Sequence, residues 1–280
     1  MPSSLSAGKN TRQTALDNEF KVLMAVRRFG HLRASEVGRA VWPHSRELTA
    51  RAMADLTLKR MVAKSLLLKK PNSYGGASFL LSPAGCRHLR DADVSATEGY
   101  KLSPAGPQFF HRTLGTNYLL DKQQAGFEVY GEYALLKGYA PVDLEYLRKK
   151  HGKLPDGLVV YAPEQAGTVG GVLLADWVEV ESNFKDYDDV EHAFRLLLRS
   201  GELTQAGNLL LNKLVFVYDT RQTHEARLKK YAARFLRENP GLSASVFLDA
   251  VTMARCTIGY PLKWGGAAES SLASMMKVPA

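Results

Sequence analysis

Between Leu154 and Lys185 the chain reads LPDGLVVYAP, then EQAGTVGG, then VLLADWVEVESNFK. Two apolar runs rich in β-branched residues flank a Gly-containing loop, which is the signature of a β-hairpin. With the loop centred near Gly167, antiparallel pairing joins residues whose numbers add to about 334–335. That register predicts Asp156 beside Glu179. Alternation along the strand puts Glu179 and Glu181 on one face, with Val178 and Val180 toward the core. Carboxylates gathered at the end of an apolar hairpin repel one another unless a cation lies between them. A divalent metal is the economical cation. The plainer alternatives are a common P-D-G turn and a wet edge strand whose glutamates pair with Lys185. VLLADWV is too apolar for a freely solvated strand, which weighs against the second.

Charge is the next constraint, because it is unevenly placed. The chain has 280 residues and a formal net charge of +9. Residues 1–106 hold 17 Lys/Arg and 8 Asp/Glu, whereas the remainder holds 20 of each. The basic excess therefore lies wholly in the first part, as expected of a region that meets a polyanion, most simply nucleic acid. Cys86 and Cys256 are the only cysteines. They are far apart and in no metal-binding spacing, which excludes a disulfide framework or a zinc-finger core and suits a reducing cytoplasm. MPSSLSAGKNTRQ has no apolar core of the kind a secretory signal needs, and no run is apolar for long enough to cross a bilayer. The expectation is a cytoplasmic protein without membrane insertion.

Periodicity predicts the order of elements. Residues 1–15 read as a flexible arm. Leu16, Phe20, Leu23 and Met24 recur at helical spacing up to Gly30, ASEVGRAVW is a short helix ended by Pro43, and Ser45 caps a third helix through RELTARAMADLTLKRMV. Leu48, Ala52 and Leu56 are its expected buried face. KSLLLKK, PNSYGG and ASFLLS make a hairpin with a basic first strand, and SPAGCRHLRDAD closes the region. Three helices followed by a hairpin predict a winged helix-turn-helix domain over 16–98. In such a domain the third helix enters the major groove and the wing meets backbone. Arg46, Arg51, Lys69 and Lys70 are its candidate DNA contacts, chiefly to phosphate. After a Ser/Pro/Gly-rich boundary near 95–107, residues 107–260 read α-β-β-β-α-β and then α-β, the pattern of an α/β sheet with helices on its faces. The helix Gln108–Gln124 carries His111 and Arg112, further candidates to approach DNA. Glu132 ends the strand FEVYGE as a fourth acidic candidate, SVFLDAVTMA is the last strand, and 261–280 is an unassigned tail.

Carboxylates of this kind can hold Mg²⁺ or Mn²⁺, which activates water and orients a phosphate. A nearby lysine adds positive charge where negative charge develops. Asp156, Glu179, Glu181, Glu132 and Lys185 supply those parts. Pro155-Asp156 followed by Glu179-x-Glu181 in an α-β-β-β-α-β context resembles the PD-(D/E)xK, or restriction-endonuclease-like, nuclease fold. More narrowly, a winged helix followed by Pro155-Asp156-Gly157, Trp177-Val178-Glu179-Val180-Glu181 and Lys185, with Glu132 in YGEYAL, resembles the replication-relaxation family, which includes MobC-type plasmid mobilisation relaxases. The resemblance runs from about Phe20 to Phe247. It implies that Asp156 and Glu179 ligate metal, that Glu181 takes the usual lysine position, and that Lys185 is that lysine displaced along the chain. It further implies a relaxase that nicks one strand of origin DNA, double-stranded and locally single-stranded, with accessory mobilisation proteins as partners. A tyrosine nucleophile is usual for relaxases, and Tyr118, Tyr130, Tyr133 and Tyr161 are available. Two other functions fit the same residues: a non-enzymatic DNA-binding regulator of replication or transcription, and a restriction or repair nuclease.

Overall fold

A computed structural model describes residues 11–99, 101–106, 108–152, 154–162, 172–182, 186–198, 209–221 and 224–276. The chain is mixed α/β and falls into two units, Met1–Pro104 and Ala105–Ala280.

The first unit runs α1 (Thr11–Phe29), β1 (His31–Arg33), α2 (Ala34–Val41), α3 (Glu47–Ala63), β2 (Leu67–Pro71), β3 (Ala77–Leu81) and α4 (Pro83–Arg90). Its antiparallel sheet has the order β1-β3-β2. Helix α1 starts at Thr11, ahead of the expected Leu16, so residues 11–15 of the expected arm are helical, and residues 1–10 lie outside the described residues. The amide of Gln13 donates to Asp17 at 2.8 Å, one helical turn on, and supports this first stretch. Helix α3 begins after Arg46, not after a Ser45 cap.

The buried face of α3 differs from the expected one. Ala50, Ala54, Thr57, Leu58 and Met61 point inward, whereas Leu48 and Leu56 are 87% and 68% exposed. The reason is how closely α2 and α3 approach: a Cβ on Gly38 would stand 3.1 Å from the Ala50 backbone. Only small side chains fit such a contact, so the leucines are turned outward.

Glu19, buried on α1, accepts from Arg60 Nε at 2.6 Å and from Lys64 Nζ at 2.9 Å. Burial raises its carboxyl pKa, but the hydrogen bonds from Lys64 and Arg60 outweigh that and hold it below the usual range.

The second unit runs α5 (Gln108–Gln124), β4 (Glu128–Gly131), α6 (Glu132–Leu136), α7 (Leu144–His151), β5 (Gly157–Val160), β6 (Leu173–Glu181), α8 (Tyr187–Leu198), β7 (Leu209–Asp219), α9 (His224–Glu238), α10 (Ala244–Ala250), β8 (Val251–Gly259), β9 (Lys263–Ser271) and α11 (Leu272–Met276). The six strands lie in that order, with β6, β7 and β8 mutually parallel and the other neighbours antiparallel. One face packs against α8 and α9, whose inward residues Val190, Phe194, Leu228, Ala232 and Phe235 recur at helical spacing. Phe194 is the hub, with ring centroids 5.2–5.8 Å from Phe216, Phe235 and Phe247. The other face packs against α5. A Cβ at Gly115 would stand 2.9 Å from Val180 Cγ2, and one at Gly157 2.9 Å from Leu119 Cδ1, so helix and strand meet where side chains are missing.

Three elements depart from the expectation. Glu132 opens α6 and does not end β4. SVFLDA is helical and only VTMARCTIG is strand, because Phe247 and Leu248 face the core from a helix of about two turns. The expected tail over 261–280 holds β9, paired along its length with β8, and α11. Its Gly-Gly and Ala-Ala pairs hide any alternation of apolar and polar residues.

Because the Glu19 pKa is lowered on folding, its contribution is present above the ordinary carboxylate range, about 4.3, and is lost as pH falls through the folded value. Lys64→Ala should therefore move the acid-unfolding midpoint of the first unit upward, as followed by circular dichroism. An unchanged midpoint would show that the ion pair does not couple to folding.

Candidate functional site

Strand β6 is an inner strand with both faces covered, and its alternate side chains meet different layers. Val180 packs on α5, while Trp177 lies among the residues of α8 and α9. Even-numbered residues thus face α5 and odd-numbered residues face α9. Both faces are core, which corrects the expectation that only Val178 and Val180 point inward. Glu179 and Glu181 are 1% and 0% exposed.

The hairpin register pairs Gly157 with Val178 and Leu158 with Trp177. The ladder stops there: the Asp156 N–H donates to the Val178 carbonyl at 3.0 Å, so the expected pairing of Asp156 with Glu179 is not part of it. The Asp156 carboxylate turns toward the α5 side. Its Oδ2 accepts the Val180 N–H at 2.8 Å, and its Oδ1 lies 3.2 Å from His111 Nε2. The other ring nitrogen, Nδ1, lies 3.0 Å from Ser182 Oγ. His111 and Asp156 are 15% and 22% exposed. One polar chain therefore links strand β6, helix α5 and the residue that enters β5.

On the opposite face Glu179 Oε1 accepts the indole N–H of Trp177 at 2.7 Å. Glu181 Oε2 faces the Arg227 guanidinium at 3.9 Å, and Arg227 also meets the His224 ring. Parallel register sets Glu181 beside Tyr218, and Tyr218 beside Arg255, at the carboxyl ends of three adjacent strands. In open α/β sheets this end is where ligands enter. Tyr218 donates to Glu225 at 3.1 Å. Burial, then Glu225, raises the phenol pKa, while the hydrogen bond from Lys229 lowers that of Glu225. A cavity of about 460 Å³ opens beside Tyr218, Glu225, Arg255, Thr257 and Gly266.

The oxygen-rich donor set suits a hard cation in kind. Its arrangement does not, because Asp156 is held from the α5 side and Glu179 and Glu181 are engaged on the α9 side. Among the described residues no three His, Cys, Asp or Glu side chains gather as a metal-holding group. Glu132 pairs with Arg112 at 2.9 Å. Lys185 and the loop centre at Gly167 lie outside the described residues.

His111 and Arg112, expected to approach DNA, are thus both engaged within the second unit. The phenols are poorly placed to act as nucleophiles. Burial and Glu269 hold Tyr118 well above its ordinary pKa. Burial and Asp176 raise Tyr161, which donates to Asp176 at 2.7 Å. Tyr130 donates to Glu128 and Tyr133 meets Tyr139 edge to face. In the first unit Arg46 and Lys69 are exposed, Arg51 pairs with Asp55 at 2.9 Å, and Lys70 donates to the Leu102 carbonyl at 2.9 Å.

Sequence reasoning missed Ser182, Tyr218, His224, Arg227 and Arg255. Strand alternation was the available signal for Ser182, which continues the Val178–Val180 face. Tyr218 and Arg255 are joined to Glu181 by the parallel strand register, and His224 and Arg227 by the packing of α9 on the sheet, neither of which a local pattern encodes. Among the described residues no helix is long and apolar enough to cross a membrane. Comparison with protein-family models, curated proteins and solved structures finds no match.

The indole of Trp177 is the donor that holds Glu179 in a dry layer. Trp177→Phe should cost about 1–3 kcal/mol, the penalty for stranding a buried acceptor. Adding Glu179→Leu should return part of that loss in a double-mutant cycle read by urea unfolding. Strictly additive losses would show that the two side chains are not coupled.

Proposed function

We propose that this chain is a DNA-binding protein whose second unit nicks one strand of an origin, in the manner of a relaxase that starts plasmid mobilisation. The observation that carries this reading is the hairpin of β5 and β6, which Asp156 enters and whose E-x-E end reaches the carboxyl edge of the parallel strands. Apart from α6 and α7, which lie between β4 and β5, the succession α5-β4-β5-β6-α8-β7, in which only the last strand pair is parallel, follows the order that the PD-(D/E)xK resemblance implies. Support for DNA binding comes from the first unit. Its three helices precede a hairpin with Lys69 and Lys70 on the first strand, and the charge excess of the chain lies there. Read as a winged helix, this unit offers the exposed side of α3, with Arg46 and Arg51, to the major groove. The exposed Leu48 suits contact with thymine methyl groups.

Mg²⁺ or Mn²⁺ enters this reading as an assay condition only. For an ion to bind at the three carboxylates, Glu179 would have to leave the Trp177 indole and Glu181 the Arg227 guanidinium. That same engagement favours a second reading, a non-enzymatic DNA-binding regulator in which the nuclease-like sheet is a scaffold.

Two measurements separate the readings. Wild-type protein incubated with supercoiled plasmid carrying the DNA that flanks its own coding sequence should yield open circles, with or without Mg²⁺ or Mn²⁺. If duplex is bound but never nicked under any of these conditions, the scaffold reading stands and the nickase fails. Lys69→Ala should weaken binding across sequences and flatten the salt dependence by about one unit of log–log slope. An unchanged slope would return that lysine to solvent.

A further inference from the structure

The carboxylate expected to ligate metal, Asp156, is the end of a chain of polar contacts that terminates in a hydroxyl. We infer that Ser182 is a nucleophile for phosphoryl transfer, with His111 as its base and Asp156 as the group that fixes the imidazole.

Three features of the geometry assign these roles. Asp156 Oδ2 is anchored by the Val180 N–H at 2.8 Å, which leaves Oδ1 to meet His111 Nε2 at 3.2 Å. An acceptor-only carboxylate at Nε2 selects the tautomer that carries its proton there. Nδ1 is then the acceptor, and it stands 3.0 Å from Ser182 Oγ, within the reach that a nucleophile and its base need. His111 is mostly buried and its helix is packed on the strand that carries Ser182, so the pair is held by secondary structure on both sides. Ser182 is half-buried at the carboxyl end of β6, the edge of the sheet that admits ligands. None of the four tyrosines combines exposure with an adjacent imidazole, so this hydroxyl is the better-activated nucleophile among the described residues.

The step balances without an added reactant. The Oγ–H proton passes to His111 Nδ1 as a bond forms between Oγ and phosphorus. One P–O ester bond breaks, and the deoxyribose oxygen departs with the electron pair and takes the proton from Nδ1. The products are a phosphoseryl–DNA link at Ser182 and a free hydroxyl end. Asp156 changes neither its bonds nor its protonation.

The substrate class rests on the proposed nickase, whereas the activation of Ser182 does not, so the two are tested apart. Full-length protein is treated with an alkyl fluorophosphonate and the adduct is located by peptide mass mapping. The expected result is a single adduct on Ser182, absent in Ser182→Ala and formed at least tenfold more slowly in His111→Gln and Asp156→Asn. Thermal unfolding of each variant confirms that it is folded, and the wild-type adduct needs no variant at all. No adduct on Ser182, or a rate indifferent to His111, overturns the inference. In parallel, the nicking reaction is stopped in detergent and the broken strand is examined for bound protein. Protein on one end supports the inference, and two free ends overturn it while leaving the nickase intact. A labelled Ser182 in a protein that never nicks leaves the activated serine standing and removes the nickase.

Discussion

A strand covered on both faces cannot send its polar side chains to water, and β6 is such a strand. Every polar group that it carries must find a partner inside the fold or incur the cost of desolvation. Alternation sorts those groups without regard to their chemistry. Glu179 and Glu181 are sent toward α9, where Trp177 and Arg227 receive them, and Ser182 toward α5, where His111 receives it. The helices on the two faces are thus more than packing, because each must present a donor or base at the right turn. His111 on α5 and Arg227 on α9 are the counterparts of residues that β6 obliges them to meet.

The same constraint explains what could be read from the sequence. Hairpin pairing is local, so a register whose partners add to about 335 followed from the loop alone, and the ladder from Gly157 to Val160 keeps it, although Asp156 at its end turns to Val178 instead of Glu179. The helix from Gln108 to Gln124 and the amphipathic α9 were legible for the same reason, since a 3.6-residue period needs no knowledge of distant contacts. The layer beyond each side chain was not legible. Two glutamates on one strand face look like a shared site when that face is taken to be open. They part into separate partnerships once α9 is seen to cover it. The buried stripe of α3 was misread on similar grounds. Hydrophobicity pointed to Leu48 and Leu56, but the close approach of α2 at Gly38 rewards small size over apolar area.

Buried polar pairs on either side of β6 also make the two faces unequal. The α9 side sets the buried carboxyl groups of Glu179 and Glu181 against an aromatic layer, and removing a partner there leaves a polar group in a dry place. The α5 side carries the relay of Asp156, His111 and Ser182, whose last member is half-exposed, so its groups can exchange partners with a ligand at smaller cost. Rigidity on one side and availability on the other are what a strand needs if it is both a beam of the sheet and the edge of a site.

Helix α5 has a consequence that reaches to the other end of the chain. Its first half carries His111, and its second half is tied to β9, where the indole of Trp264 donates to Asp121 at 2.9 Å and Lys122 meets Glu269 at 2.7 Å. A sheet twists from strand to strand and a helix of this length does not, so the helix touches the successive strands with little slack. It works as a gauge laid across the sheet. Where its far end is seated fixes where the imidazole stands, and β9 is the strand that seats it. Residues more than a hundred positions away in sequence therefore belong to the alignment of His111 as much as its immediate neighbours do.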